Sequence, residues 1–230
     1  VLERNGGPSV IGQVLVCGRA VPALAEVVAE GVHHLPERPG KADVDPLLPA
    51  EGQAHLVVVG TDADLAAVVL RLLRKEKLAS TTIGYVPAEE SSAVASLWDL
   101  PTDTDRAMAL ANTGDVDPVP LLRDDAGGVL VGRGELGPVR GVAYCDDEVA
   151  LRGQASRIVV EADDTGGPGL VAQVTRGAVF KRRITYSGRA FQLGCVPAIP
   201  TYDGVRHPRP MKRWTWYRHT EDLRLVRGLA

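Results

Sequence analysis

Apolar positions in the first half of the chain come in short unbroken runs, separated by stretches patterned for helices. Gln13-Val14-Leu15-Val16-Cys17 and Leu56-Val57-Val58-Val59 are runs of the kind that form strands covered on both faces. An Ala/Val-rich segment over 22–30 predicts a helix, with Pro22 suited to its first turn. Residues 33–54 are broken by Pro36, Pro39, Pro46 and Pro49 and read as a connection with a short helical turn. After Val59 the chain breaks at Gly60-Thr61-Asp62-Ala63-Asp64. A helix over 65–73 follows, then a second apolar strand ending at Pro87. The polar turn Glu89-Glu90-Ser91-Ser92 leads into another helix, which closes at Leu97-Trp98-Asp99-Leu100-Pro101. A short helix over 105–112 stops at Gly114.

From about residue 129 the pattern changes to short runs split by Gly, Pro, Asn or Asp. Strands are expected over 129–131, 139–144, 148–151, 156–160, 170–174, 180–186, 190–195 and 223–226. Closely spaced strands with few helical patterns predict a β-rich sandwich or barrel. Asp117-Pro118-Val119-Pro120 reads as an extended link between the two halves. The expected organisation is an α/β domain over 1–121 followed by a β-rich domain over 122–230.

Composition narrows the class without identifying a function. A 230-residue chain, 45% hydrophobic and 24% charged, can bury one large core or two modest ones. Aromatic residues are only 4%, so Val, Leu, Ala and Ile must build those cores. No apolar run approaches the length of about 18 residues that a membrane-spanning helix requires. The first residues lack a basic start followed by an apolar block, so no secretory signal is expected. Cys17, Cys145 and Cys195 are far apart, without metal-ligand spacing, which predicts reduced thiols and a cytoplasmic location. Heavy Ala, Val, Arg and Asp usage with little Lys points to a GC-rich bacterial source. The adjacent His33 and His34 would point their rings apart on a helix or strand, so neither carries a ligand pattern.

Charge is divided along the chain. Residues 1–175 hold 14 Lys and Arg against 26 Asp and Glu, net −12; residues 176–230 hold 12 against 3, net +9. Such asymmetry lets the two portions, or two copies in a homodimer, dock on each other; it also suits an external polyanion. The stretch 206–219 concentrates the positive charge beside Trp214, Trp216 and Tyr217. Arg206, Arg209, Lys212, Arg213 and Arg218 are therefore candidates for anion binding, including peripheral contact with a membrane surface. Alternation offers a competing explanation, in which Trp214 and Trp216 share one face of a strand and fill a sandwich core. Docking within the protein is preferred, and nucleic acid is not the expected partner.

The candidate chemistry of the first half sits in its two turns. Asp62 and Asp64, at the carboxyl end of a strand, would organise Mg²⁺ with nucleotide phosphates if they face a cleft, with Asp203 as a distant further ligand. The competing role is helix capping, which Asp, Ser and Thr perform at N-termini in many folds. Glu89 and Glu90 place carboxylates at a helix start, where they oppose a bound phosphate; the preferred reading is that Glu89, Glu90, Ser91 and Ser92 simply cap that helix.

This order of elements resembles the diacylglycerol and lipid kinase family, relatives of the NAD kinases. That family carries Gly-Gly-Asp-Gly-Thr at the first turn and Gly-Thr-Gly-Asn-Asp at the second. Here Gly60-Thr61-Asp62-Ala63-Asp64 stands at the first and Glu89-Glu90-Ser91-Ser92-Ala93 at the second, without its glycines. Tyr202-Asp203-Gly204-Val205 looks like the family's late Asp-Gly-Glu turn, with valine in place of glutamate, and the family's central acidic segment has no match between 125 and 195. The resemblance implies a Rossmann-like α/β domain of the NAD kinase and diacylglycerol kinase type followed by a β-sandwich. It also implies a cofactor site at Gly60, Thr61, Asp62, Asp64, Glu89, Ser91 and Ser92. The degraded motifs lead us to expect a protein that lacks ordinary kinase activity and needs no cofactor. It would hold a phosphorylated small molecule or lipid in the interdomain cleft. Were it active, ATP and Mg²⁺ would be the cofactors and a lipid hydroxyl the acceptor.

Overall fold

The computed structural model describes residues 12–18, 31–177 and 180–228. The helix expected over 22–30 lies outside these residues. The first sheet begins with β1 (Gln13–Cys17) and β2 (Val32–Leu35), which pair in parallel. A short helix α1 (Lys41–Val44) and a 3-10 turn (Asp45–Leu47) lead to β3 (Ala54–Gly60). Helix α2 (Asp62–Arg74) crosses to β4 (Thr81–Pro87), parallel to β3. Then come α3 (Ala93–Leu97), α4 (Thr104–Thr113) and β5 (Val116–Val119).

Strand β2 was not expected, because 33–54 reads as connection. Its four residues lie at the sheet edge, are only partly buried and carry two histidines, so no apolar run announces them. Strand β3 is the opposite case. Leu56 and Val58 enter the large core, while Val57 and Val59 enter a second cluster with Val16, Val86, Ala107 and Ala111. Burial on both faces accounts for the unbroken apolar run.

The remaining strands build two antiparallel sheets. One contains β6 (Leu122–Asp124), β7 (Val129–Leu130), β9 (Val139–Cys145), β10 (Glu148–Ala155), β14 (Ala190–Ala198) and β17 (Met211–Arg218), in the order β10-β9-β14-β17-β6-β7. The other contains β8 (Arg133–Leu136), β11 (Arg157–Ala162), β12 (Leu170–Arg176), β13 (Arg182–Gly188), β15 (Thr201–Tyr202) and β16 (Val205–Arg206). Their inner faces meet around Trp214 and Trp216, which are 1% and 0% exposed. Gly134 of β8 lets Trp216 approach the opposite sheet; a Cβ there would come within 2.8 Å of the indole ring. Alternation along β17 therefore places both tryptophans in the sandwich core.

The sheets divide the chain differently from the boundary expected at 121/122. The last strand, β18 (Leu223–Val226), returns to the first sheet and inserts between β4 and β5. Leu223 and Leu225 join the large core there, so the chain crosses between its two parts twice. A four-residue apolar run signals a strand without naming its partners, which is why sequence assigned it to the β-rich part.

Candidate functional site: a cleft lined by carboxylates

The carboxyl ends of β3 and β4 open onto a cleft of about 860 Å³, closed on its far side by β8 and the β15–β16 turn. Open α/β sheets place ligand crevices at this end of their strands. Of the expected cofactor-site residues, Thr61, Asp62, Asp64, Glu89, Ser91 and Ser92 line it, together with Asp203. Gly60 lies just beneath, at the end of β3.

Thr61 and Asp64 form a reciprocal cap on α2. The Thr61 hydroxyl accepts from the Asp64 N–H at 3.3 Å, and the Asp64 carboxylate accepts from the Thr61 N–H at 2.8 Å. Asp64 also accepts from the Thr61 hydroxyl and, at 2.6 Å, from the Arg38 N–H, which ties the loop after β2 to this helix. Gly60 makes room for that carboxylate, since a Cβ on it would lie 2.8 Å from Asp64 Oδ2. No residue from 60 to 64 has positive φ, so the turn runs directly into helix and presents no glycine-type anion nest.

Asp62 reaches the next βα unit. Its carboxylate accepts from the Tyr85 hydroxyl at 2.9 Å, the Ser92 hydroxyl at 2.5 Å and the Ala93 N–H at 2.7 Å; the Val94 N–H is 3.4 Å away. Ser92 in turn caps α3 by accepting from the Ala95 N–H at 3.0 Å. Glu89 and Glu90 therefore take no part in capping; Glu89 accepts only a long bond from Ser91, at 3.5 Å. Burial, reinforced by the charge of Asp62, raises the Tyr85 pKa far above its ordinary value and keeps its hydroxyl a donor.

Asp203 occupies the opposite wall. It is 4% exposed, has φ of 46°, and accepts from the N–H groups of Val131, Gly132 and Arg133 at 3.1, 2.8 and 3.1 Å. Burial pushes its pKa up to about 7 even though the three N–H bonds act in the other direction, and Asp62 adds to the rise. The remaining charged lining residues are Glu37, Arg38, Arg133 and Glu135. Arg133 is committed to Glu161 at 2.6 Å, whereas Arg38 has no carboxylate within ion-pair distance among the described residues. Among the described residues no three His, Cys, Asp or Glu side chains converge as a cation site.

Sequence reasoning singled out both turns but missed Tyr85, Arg38 and Arg133. Tyr85 lies inside an apolar strand run, where nothing marks it as a donor to the cleft. The candidates at the C-terminal end are elsewhere on the molecule: Arg206, Arg209, Lys212 and Arg213 line no part of this cleft. Arg218 pairs with Asp222 at 2.9 Å; the other four have no ion pair among the described residues. Docking of these four cations on carboxylates of the same chain is thus not observed; all four side chains are exposed to solvent.

No protein-family model matches the sequence, and neither does any curated protein. Solved structures do match. A diacylglycerol kinase from Bacillus anthracis superposes with a TM-score of 0.69 at 12% identity, over 95% of this chain and 97% of that one. An NAD kinase from Archaeoglobus fulgidus, solved in complex with ATP, gives a TM-score of 0.57 at 12% identity, over 94% and 93%. Yeast NADH kinase, complexed with NADH, gives 0.51 at 8% identity, over 95% and 84%. With its parallel α/β sheet, its antiparallel β-rich part and the cleft where they meet, the chain has the fold shared by diacylglycerol kinase-like proteins and NAD kinases.

Proposed function

We propose that this chain is a divergent diacylglycerol/lipid kinase-like protein without ordinary ATP-dependent phosphotransfer, whose cleft holds a ligand bearing a single phosphate group. The observation that carries the reading is the bond from the Ala93 N–H to Asp62. The Ala93 N–H and the Ser92 hydroxyl are the donors that a phosphate at the start of α3 would need, and a carboxylate of the same chain takes both.

The remaining lining argues the same way. Six carboxylates and two arginines face the cleft, so a triphosphate would enter a field of its own sign. Two like unit charges about 4 Å apart oppose each other by roughly 4 kcal/mol at an effective dielectric of 20. Mg²⁺ fits no better, because Asp62, Asp64 and Asp203 already use their oxygens on internal donors. Among the described residues Arg38 is the one lining cation left unpaired by carboxylate, and a single guanidinium matches a single phosphate. A phosphorylated small molecule or a lipid headgroup meets that requirement. Calorimetry with Mg·ATP should give no saturable heat at submillimolar nucleotide. Micromolar binding that disappears in Asp62→Ala would overturn the reading and restore an active lipid kinase.

A further inference from the structure

Among the described residues, four of the five large apolar side chains that remain exposed lie on neighbouring strands of one sheet. Val142, Tyr144, Val149 and Val196 all belong to β9, β10 and β14, whereas Phe180 lies in the connection between β12 and β13 of the other sheet. Register places Val142, Tyr144 and Val149 on the outer face of one sheet, and Val196 follows in the irregular end of β14. Arg152, Val142, Gly194 and Arg213 form one row across four strands; Val149, Tyr144, Gln192 and Thr215 form the next, and Gln154 pairs with Arg140 beyond. No acidic residue occupies any of these positions. Gly194 has nothing within 4 Å of where a Cβ would stand, so the first row is open at its centre.

The same face ends in a groove of about 590 Å³ lined by Arg140, Gln154, Gly177, Val196 and Pro197, among others. Val196 is 62% exposed there, and Phe180, which is 92% exposed, has its backbone against Gly177. Lys181, Arg182 and Arg183 follow Phe180 and are all exposed. The acidic turn of Asp146, Asp147 and exposed Glu148 lies at the end of β9 away from the groove, next to Tyr144 and Val149; Asp146 is engaged by the N–H groups of Arg189 and Ala190, and Asp125 accepts from the Thr215 N–H at 3.3 Å.

The geometry points to this face as a docking surface for membranes rich in anionic lipid. Scattered exposed apolar residues are normal, but a set gathered on one sheet and interleaved with arginine marks an interaction site. Three of the exposed apolar side chains are valines, which have no ring to stack on nucleic-acid bases but gain from leaving water at a lipid interface. The arginines supply complementary charge, and their stems and the Tyr144 ring suit the headgroup layer. This surface differs from the stretch 206–219, whose tryptophans are buried and which contributes only Arg213 and Thr215 to the rows described. It is also independent of the ligand assigned to the cleft.

Co-sedimentation of the full chain with phosphatidylglycerol-containing vesicles, against pure phosphatidylcholine vesicles, tests the assignment. The parent should favour the anionic vesicles by at least about tenfold and release as salt rises. Each basic side chain near such a surface contributes roughly fivefold, so Arg140→Gln/Arg152→Gln/Arg213→Gln should lower partitioning by about 100-fold. Phe180→Ser/Val196→Ser should lower it as well with little change in melting temperature, since both side chains are already in water. Arg206→Gln/Arg209→Gln, outside the face, should leave it unchanged within about twofold. Absence of binding by the parent at low salt would overturn the proposal, as would unchanged binding by both face variants. So would a dimer that Phe180→Ser/Val196→Ser dissociates, or RNA retention lost in the arginine variant while vesicle binding persists.

Discussion

The Asp62 carboxylate accepts the Ala93 N–H at 2.7 Å across 31 residues of chain, joining the start of one helix to the start of the next. It thereby closes the turn after β3 against the turn after β4, with Tyr85 and Ser92 as further donors. A residue that would be a cofactor ligand in an open site is here a structural link.

Removing that link has two expected consequences. Asp62→Ala leaves the Ser92 hydroxyl and the Ala93 N–H without their shared acceptor, while the Tyr85 hydroxyl keeps the Gly60 carbonyl at 3.1 Å. Each buried donor left unsatisfied costs about 1–3 kcal/mol, less where water enters the cleft. Urea unfolding should therefore show a loss of about 2–4 kcal/mol. The freed donors also add to the anion site, so millimolar inorganic phosphate should raise the melting temperature of Asp62→Ala more than that of the parent. A parent stabilised by phosphate as strongly as the variant would show that Asp62 does not occupy the site.

The strand leading into this turn is tested by Val59→Asp. Val59 is buried against Val16, Val57 and Val86 on the face opposite the large core. An unpaired carboxylate placed there has no hydrogen-bonding partner, and such substitutions cost several kcal/mol. The variant should melt many degrees below the parent or fail to fold. A melting temperature within about two degrees would contradict burial of β3 on both faces.

Asp203 predicts a pH dependence whose sign runs against the usual one for carboxylates. Its pKa rises from 3.8 to about 7 on folding, so the folded chain keeps a proton that the unfolded chain has lost. Its contribution to stability is fully present below pH 4 and declines as pH rises from about 4 to about 7, by at most about 1.4 kcal/mol per unit. Asp45 and Asp163, whose pKa values are lowered by partners, act only as pH falls below about 4. Burial and Arg123 lower the pKa of His219, so it adds stability as pH rises toward 6.5 and opposes the trend. The difference between parent and Asp203→Asn in urea unfolding from pH 4.5 to 7.5 isolates the effect. Parallel profiles for the two proteins would show that Asp203 ionises normally.

The sequence made some of this visible and concealed the rest for identifiable reasons. Strand β3 was legible because burial on both faces leaves an unbroken apolar run, and β17 because its tryptophans alternate with polar positions. Asp64 was legible as a cap because its partner Thr61 lies three residues away, although the sequence did not single out Thr61 for that role. The role of Asp62 was not, since its partners sit in another βα unit, and an acid in a turn looks the same whether it faces solvent or a neighbouring helix. Strand β2 escaped because an edge strand needs no apolar run, and the return of β18 because pairing partners leave no mark on a four-residue segment.

The stretch 211–218 puts two opposite expectations side by side. Trp216 is fully buried, packs at 5.7 Å from Trp214 with the rings steeply tilted, and faces Gly134 across the sandwich. Trp216→Ala should cost about 3–5 kcal/mol, the range for emptying a large aromatic site. The cations beside it have no such role. Arg209, Lys212 and Arg213 are exposed and form no ion pair among the described residues, so nothing in the chain opposes their reversal to Glu. Surface substitutions of this kind change stability by about 0.5 kcal/mol or less. Arg218→Gln, which breaks the pair with Asp222, should cost only about 0–1 kcal/mol. Thermal melts of these variants in low and high salt check the contrast. If the triple reversal lowers the melting temperature sharply and salt restores it, these cations have carboxylate partners after all, supplied by a second copy of the chain.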